Sequence, residues 1–134
     1  MKNICVIGSG ISGSTIANLL SKKYKVDVYE KAKGIGGRSS HRRYLNKLGF
    51  DHGLQYISPK TSKFEKFCSR LQKKRVLKKW QGPHKFDHSK VLENKKHTKL
   101  IGAKGNNAIS KYLLRNINCI FGYEPVSYTH LRAH

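Results

Sequence analysis

The first 30 residues predict an α/β fold. Residues 3–7 are a short apolar run that is typical of a buried strand, and a glycine-rich turn follows at once. A helical pattern then extends to about Lys23, and residues 25–30 alternate between polar and apolar side chains, as in a second strand. The order of strand, glycine turn, helix and strand is that of a βαβ unit.

The turn between the first strand and the helix reads Gly8-Ser9-Gly10-Ile11-Ser12-Gly13, a G-x-G-x-x-G pattern. Gly8 allows a sharp turn, Gly10 lets a pyrophosphate approach the backbone, and Gly13 lets the helix pack tightly on the strand. The helix N-terminus offers unpaired N–H groups and a partial positive charge to phosphates. This context predicts a Rossmann-type fold that binds FAD or NAD(P).

An acidic residue and a second glycine pair extend this prediction. Glu30 ends the second strand, where a carboxylate can accept hydrogen bonds from both hydroxyls of an adenosine ribose and disfavours a 2′-phosphate. Gly36-Gly37-Arg38, here called the GGR loop, follows after a short stretch. Two glycines let the backbone lie close to a cofactor, and the arginine can bridge to its pyrophosphate.

Two further helices are predicted, each with one apolar face, as in the first helix. Pro59 is predicted at the first position of a helix that ends near Lys74, and a third helix covers about 106–115. The side chains that share a face are, in order, Ile16, Leu19 and Leu20 with Ala17 close by; Phe64, Phe67, Cys68 and Leu71; and Ala108, Ile109, Tyr112 and Leu113. The third set, on the helix at about 106–115, is predicted to face the protein interior.

The remaining segments are predicted to be short strands and loops. Residues 31–41 form a loop and 42–57 are mixed in character. The other predictions are a strand at 76–80, a polar hairpin or surface loop at 81–99, a strand end at 100–101 and a strand at 118–123.

Composition excludes several classes of function. The net charge of +21 favours an anionic partner, but 21 of the 28 basic residues are lysines spread along the chain, so nucleic-acid binding is not predicted. No apolar run approaches the about 20 residues that a membrane-spanning helix needs. We expect no metal site, because His84, His88 and His97 lack companion ligands at suitable spacing.

The cysteines indicate a reducing, cytoplasmic compartment. Cys5, Cys68 and Cys119 are odd in number and widely spaced, which is not a disulfide framework. Their apolar surroundings in the sequence predict buried, unreactive thiols.

The motifs together resemble those of a known family. The run from Ile4 to Arg38 is similar to the N-terminus of FAD-dependent, amine-oxidase-like flavoproteins. The GGR loop with the nearby arginine pair 42–43, followed by residues 50–57 in a "FDHGAQYF"-type motif, resembles the renalase-like branch. Residues 101–109 are similar to that branch's "VGxPGMNAL" segment, with Lys104 in the place of Pro and Asn106 in the place of Met.

The resemblance implies a set of FAD-binding residues. The turn at 8–13 would hold the pyrophosphate, Glu30 the ribose, and Gly37 and Arg38 would lie along the pyrophosphate and ribityl chain. Gly53, Gln55 and Tyr56 would lie near the flavin ring. The full set is Gly8, Ser9, Gly10, Ile11, Ser12, Gly13, Glu30, Lys31, Gly37, Arg38, Gly53, Gln55 and Tyr56.

The chemistry implied is hydride transfer from a reduced substrate to the flavin, followed by reoxidation by dioxygen. The substrate would be a dihydronicotinamide-type dinucleotide or an amine. The flavin performs the difficult step, so no nucleophile is needed, and we assign no catalytic residue. His52 is interpreted as a structural histidine beside Asp51.

The resemblance also predicts a truncated domain. Family members are much longer, so residues 1–57 would be the first segment of the FAD-binding domain and 58–123 the start of an α+β substrate domain. Residues 124–134 depart from the family, and residues 125–134 resemble a translated sequencing-adapter tail. We expect such a fragment to bind FAD weakly at best and to be inactive alone.

Three other interpretations remain open from the sequence. They are a fragment of an NAD-dependent dehydrogenase, a basic nucleic-acid-binding module, and an inactive gene remnant. The oligomeric state is not predicted.

Overall fold

A computed structural model describes residues 2–45, 48–81 and 98–126. In chain order its elements are β1 Asn3–Ile7, α1 Ile11–Leu20, β2 Lys25–Glu30, a short 3₁₀ helix Gly37–Ser39, β3 His41–Tyr44, β4 Leu48–Asp51, α2 Ser62–Lys73, β5 Leu77–Lys79, β6 Leu100–Gly102, α3 Ala108–Leu114 and β7 Asn118–Phe121. The predicted α/β class is confirmed.

The three strands β1, β2 and β7 form a parallel sheet with β2 in the centre. Val6 is paired with Val28, and Val28 is paired in turn with Cys119. The predicted bounds of β1 and β2 are confirmed. Strand β7 joins this sheet although it lies within residues 58–123, the range assigned from the sequence to a second domain.

Helix α1 packs on the sheet through its smallest side chains. Ser14 and Ala17 are fully buried, whereas Ile16 and Leu19 are 45% and 54% exposed. The predicted apolar face of α1 is therefore wrong for Ile16 and Leu19, whereas Ala17 is buried and Leu20 packs against the core. Small side chains let the helix approach the strands closely, so Ile16 and Leu19 point outward. The helix also ends at Leu20, before the predicted Lys23.

A second core lies beneath α2, where β5 and β6 form an antiparallel pair. Its buried residues are Ile57, Cys68, Leu71, Leu77, Leu100, Ile109 and Leu113. Helix α3 belongs to both cores, because Leu114 packs with Val6, Ala17, Val26 and Val28 beside the sheet. Ile109 and Leu113 face inward as predicted, while Ala108 and Tyr112 are only half-buried.

The start of α2 differs from the sequence prediction. The helix begins at Ser62 rather than at Pro59, because Thr61 provides the N-cap. The Thr61 hydroxyl accepts a hydrogen bond from the Phe64 amide at 3.3 Å. Pro59 is buried in the segment before the helix.

The cysteines occupy three different environments. Cys68 is buried, Cys119 is half-buried and Cys5 is exposed, so the prediction of a buried thiol is wrong for Cys5. Successive side chains of a strand point to opposite faces of a sheet. Because Val6 faces the core beside α1, Cys5 lies on the other face of the sheet.

Some predictions concern residues outside the described ranges. They include most of the polar segment at 81–99 with its three histidines, and residues 127–134 of the expected tail. Within the described ranges, no helix has the length and apolar character needed to cross a membrane.

The burial pattern predicts the cost of core truncation. Leu100 is 1% exposed and Leu19 is 54% exposed. We expect Leu100→Ala to lower the free energy of unfolding by about 2–5 kcal/mol, because it leaves a cavity. The control Leu19→Ala should change it by about 0.5 kcal/mol or less. Denaturant unfolding followed by circular dichroism measures both, and equal losses would contradict this packing.

Candidate functional site

A cavity of about 750 Å³ opens at the end of β1, between three glycine-containing segments. These are the turn at 8–13, the GGR loop and the start of the 53–56 segment. The lining residues are Ile7, Gly8, Gly10, Ile11, Ser12, Gly13, Gly36, Gly37, Arg38, Ser39, Gly53 and Leu54. Segments that are distant in sequence therefore form one site.

The glycines of the 8–13 turn have different roles. Gly8 has a φ of +93°, a conformation that favours glycine. A Cβ at Gly13 would overlap the carbonyl oxygen of Gly8, so the close approach of α1 to β1 requires glycine there. A Cβ at Gly10 would come no closer than 4.0 Å to the GGR loop, so the fold itself tolerates a side chain there.

The N-terminus of α1 faces this cavity without a side-chain cap. Gly10 is the N-cap residue and provides no side chain, and the first turn holds no acidic residue. The exposed end of the helix dipole and its free N–H groups favour an anion. Arg38 adds a positive charge to the lining.

Glu30 fixes the glycine turn to the end of β2. One carboxylate oxygen accepts hydrogen bonds from the Ser9 amide at 2.7 Å and the Ser9 hydroxyl at 2.6 Å. The other oxygen accepts from the Ala32 amide at 2.9 Å. Burial by itself raises the pKa of Glu30, but these hydrogen bonds and the nearby Lys31 charge outweigh burial, and the net pKa is lowered.

The GGR loop packs directly against the glycine turn. Gly36 forms a β-bridge with Gly10, and the Gly36 amide donates to the Ser9 carbonyl at 3.2 Å. Gly37 has a φ of +54°, and a Cβ there would come within 3.2 Å of the Gly10 Cα. The two loops therefore lie against each other and form adjoining walls of the cavity.

The 53–56 segment is held by Arg38 and Asn106. The Leu54 amide donates to the Arg38 carbonyl at 3.0 Å, and a Cβ at Gly53 would overlap that carbonyl. The Asn106 side-chain amide donates to the carbonyls of Leu54 at 2.6 Å and Gln55 at 3.2 Å. Asn106 was not predicted as a site residue from the sequence, although polar residues just before a helix are an available signal.

The structure brings together most, but not all, of the predicted residues. Ser9, Glu30, Lys31, Gln55 and Tyr56 are not in the described lining of the cavity. Ser9 belongs to the turn and Glu30 is hydrogen-bonded to it, but neither lines the cavity, so their part in cofactor binding stays a prediction. The lining residues that the predicted set lacks are Ile7, Gly36, Ser39 and Leu54.

Two predicted residues have other partners. Tyr56 packs on Trp80 with ring centroids 5.5 Å apart, and the Lys99 Nζ lies 4.7 Å from the Tyr56 centroid. Lys31 lies 3.9 Å from the carboxylate of Glu124, with both side chains largely exposed. Neither contact tests a role in cofactor binding, so the expected roles of Tyr56 and Lys31 stay predictions.

The histidines near the site are paired differently from the prediction for His52. Its Nε2 lies 3.0 Å from the Ser40 hydroxyl, whereas Asp51 is bonded to His41 Nδ1 at 2.9 Å. Among the residues that the structure describes, no group of three His, Cys, Asp or Glu side chains could hold a metal ion.

Comparison with known families agrees with this geometry. Residues 6–71 match the family model of the NAD(P)-binding Rossmann-like domain. The chain contains a Rossmann-like domain. The match begins within β1 at Val6 and covers the glycine turn, α1, β2, the GGR loop, β3, β4 and most of α2. A Rossmann-like domain of this family is typical of oxidoreductases that depend on FAD or NAD(P).

The lowered pKa of Glu30 in this Rossmann-like domain predicts a pH-dependent stability. Its pKa in the folded state lies below the ordinary value of 4.5. The stabilisation is therefore present above about pH 4.5 and is lost as the pH falls through the folded-state pKa. We expect Glu30→Gln to lower the free energy of unfolding at pH 7, and its difference from the unaltered chain to shrink on acidification.

Denaturant unfolding at a series of pH values between 3 and 7 measures this difference (the range brackets a carboxyl pKa, about 4). Glu65→Gln is a suitable control, because Glu65 is exposed on α2 and the variant also loses one negative charge. A Glu30→Gln difference that does not depend on pH would refute the role of the ionised carboxylate.

Proposed function

We propose that this chain binds FAD as part of an oxidoreductase of the renalase-like, amine-oxidase-like group. The observation that carries the proposal is the direct pairing of Gly10 with Gly36 in the lining of the cavity. This pairing gives two glycine loops and one arginine a common opening, which an extended dinucleotide with a pyrophosphate at its centre would fit.

The residues present suit the phosphate groups of such a cofactor. The uncapped N-terminus of α1 offers N–H groups, and the missing side chain at Gly10 leaves room for phosphate oxygens near the backbone. The guanidinium of Arg38 can add a charge-assisted hydrogen bond from the GGR loop.

Glu30 retains capacity for a ribose. An ionised carboxylate has about four acceptor positions, and Ser9 and Ala32 fill three of them. A ribose hydroxyl could use the remaining position or replace the Ser9 hydroxyl. The buried negative charge would oppose a 2′-phosphate, which favours FAD or NAD over NADP.

When bound, FAD would supply the acceptor for a hydride removed from the substrate. We propose a dihydronicotinamide-type dinucleotide or an amine as the donor. Each donor gives up two electrons and becomes a nicotinamide or an imine. Dioxygen would take up the two electrons with two protons as hydrogen peroxide. The chain's own residues bind and orient in this proposal, and none is assigned a proton transfer.

FAD is favoured over NAD by the third segment of the cavity. Gly53 and Leu54 extend the lining beyond the two loops that a pyrophosphate would occupy. That extension provides backbone groups near where an isoalloxazine ring would lie. An NAD-dependent enzyme is the competing outcome, and the experiment below separates the two.

Substitution of one glycine tests the proposal. Gly10→Ala leaves the packing intact but places a methyl group where phosphate oxygens would approach. We expect it to weaken FAD binding at least about tenfold, the equivalent of roughly 1.4 kcal/mol. Titration of FAD fluorescence with purified protein measures the affinity, and parallel titrations use NAD⁺.

Gly34→Ala is the matched control, because a Cβ at Gly34 would meet nothing within 4 Å and Gly34 is not in the lining of the cavity. We expect it to bind FAD as the unaltered chain does. Equal affinities for Gly10→Ala and the control would contradict the site. Binding of NAD⁺ but not FAD by the unaltered chain would favour the dehydrogenase instead.

A further inference from the structure

We propose that Asn106 and Asn107 are positioning residues that hold two walls of the cavity from one point at the start of α3. The inference rests on the proposed function, because the cavity is taken to bind FAD. Neither asparagine is in the described lining of the cavity, so each would act through the loop it holds.

Asn106 holds the 53–56 segment. Its side chain is fully buried, and its Oδ1 accepts from the Gly102 amide at 2.9 Å. Its Nδ2 group donates to the carbonyls of Leu54 and Gln55. Because both of these acceptors lie in one short segment, the amide fixes the path of that segment relative to β6.

The backbone of Asn106 is fixed as well. Its amide donates to the Asp51 carboxylate at 2.8 Å, and the same carboxylate oxygen contacts His41 Nδ1 at 2.9 Å. Asp51 therefore links the β3–β4 hairpin to the residue that holds Leu54. This network is part-buried at Asn106 and open to solvent at Asp51, so it adds position more than stability.

Asn107 supports the other wall of the cavity. Its Nδ2 donates to the Ile35 carbonyl at 3.2 Å, immediately before the GGR loop. A Cβ at Gly36 would come within 2.8 Å of the Asn107 Cβ, so the loop lies directly on this side chain. Among the described residues, its Oδ1 is buried without a hydrogen-bond partner.

Because of this unpartnered oxygen, Asn107 contributes less to the stability of the fold than Asn106 does. A buried acceptor without a partner costs about 1–3 kcal/mol, which offsets what the Nδ2 hydrogen bond contributes. Asn107 is therefore a poor source of stability, and its defined effect is the position of the GGR loop. Asn106, whose side-chain oxygen and amino group all have hydrogen-bond partners, contributes to both stability and position.

The two contacts predict different binding defects. The segment held by Asn106 is expected beside the flavin ring, whereas the loop held by Asn107 is expected beside the pyrophosphate. Loss of the Asn106 amide should weaken FAD binding about tenfold and leave ADP binding within about twofold, because ADP lacks the flavin half. Loss of the Asn107 amide should weaken the binding of FAD and of ADP to a similar extent.

The experiment uses the full 134-residue chain with FAD and ADP as separate probes. The variants are Asn106→Ala, Asn106→Asp and Asn107→Ala. Asn106→Asp keeps the shape and the acceptor oxygen of the side chain but loses its two N–H donors. Asn18→Ala is the matched control, since Asn18 donates one hydrogen bond at 2.8 Å to the Leu113 carbonyl, between α1 and α3. Hydrogen exchange of residues 53–57 is followed in each.

Two results in both Asn106 variants would support the proposal: faster hydrogen exchange at residues 53–57, and a loss of affinity for FAD but not for ADP. Neither effect should occur in Asn18→Ala. Equal losses of FAD and ADP in Asn106→Asp would overturn it, as would unchanged exchange at 53–57. If the unaltered chain binds ADP but not FAD, the proposed function fails. The exchange data then decide separately whether Asn106 holds the segment.

Discussion

The hydrogen bonds from Ser9 to the Glu30 carboxylate determine the shape of the site, and the other parts of the cavity are built on them. Parallel strands β1 and β2 end at the same edge of the sheet, and the chain must turn sharply there to begin α1. A buried carboxylate that accepts both Ser9 donors holds that turn in one conformation. Gly36 then bonds to the carbonyl of Ser9, so the second loop takes its position from the first.

Helix α3 connects the two wall segments of the cavity, the GGR loop and residues 53–56, to the body of the domain. This short helix places Leu114 in the core beneath the sheet and Ile109 with Leu113 in the core beneath α2. The residues just before it contact both walls of the cavity. The positive charge of the chain is a weaker constraint, because it is spread over many exposed lysines rather than concentrated at the cavity.

Local patterns predicted the first βαβ unit well, since β1, the glycine turn and β2 are specified by neighbouring residues. The same patterns placed Ile16 and Leu19 on one face with Ala17 close by, without showing that Ser14 rather than those larger side chains would pack against the sheet with Ala17. Helix periodicity identifies a face, but the closeness of packing depends on what lies opposite. Asn106 and Asn107 were missed as positioning residues because their partners, such as Leu54 and Ile35, are distant in sequence.

The pairing of β2 with β7 has a consequence for the order of folding. The side chains of Asp27 and Asn118, which are bonded across these strands, are separated by 91 residues in sequence. Closing so long a loop is entropically costly, and parallel pairing of distant strands is slow compared with local helix formation. We infer that the glycine turn and its two flanking strands can form early. The third strand pairs across this long separation, so completion of the sheet would be the later step in folding.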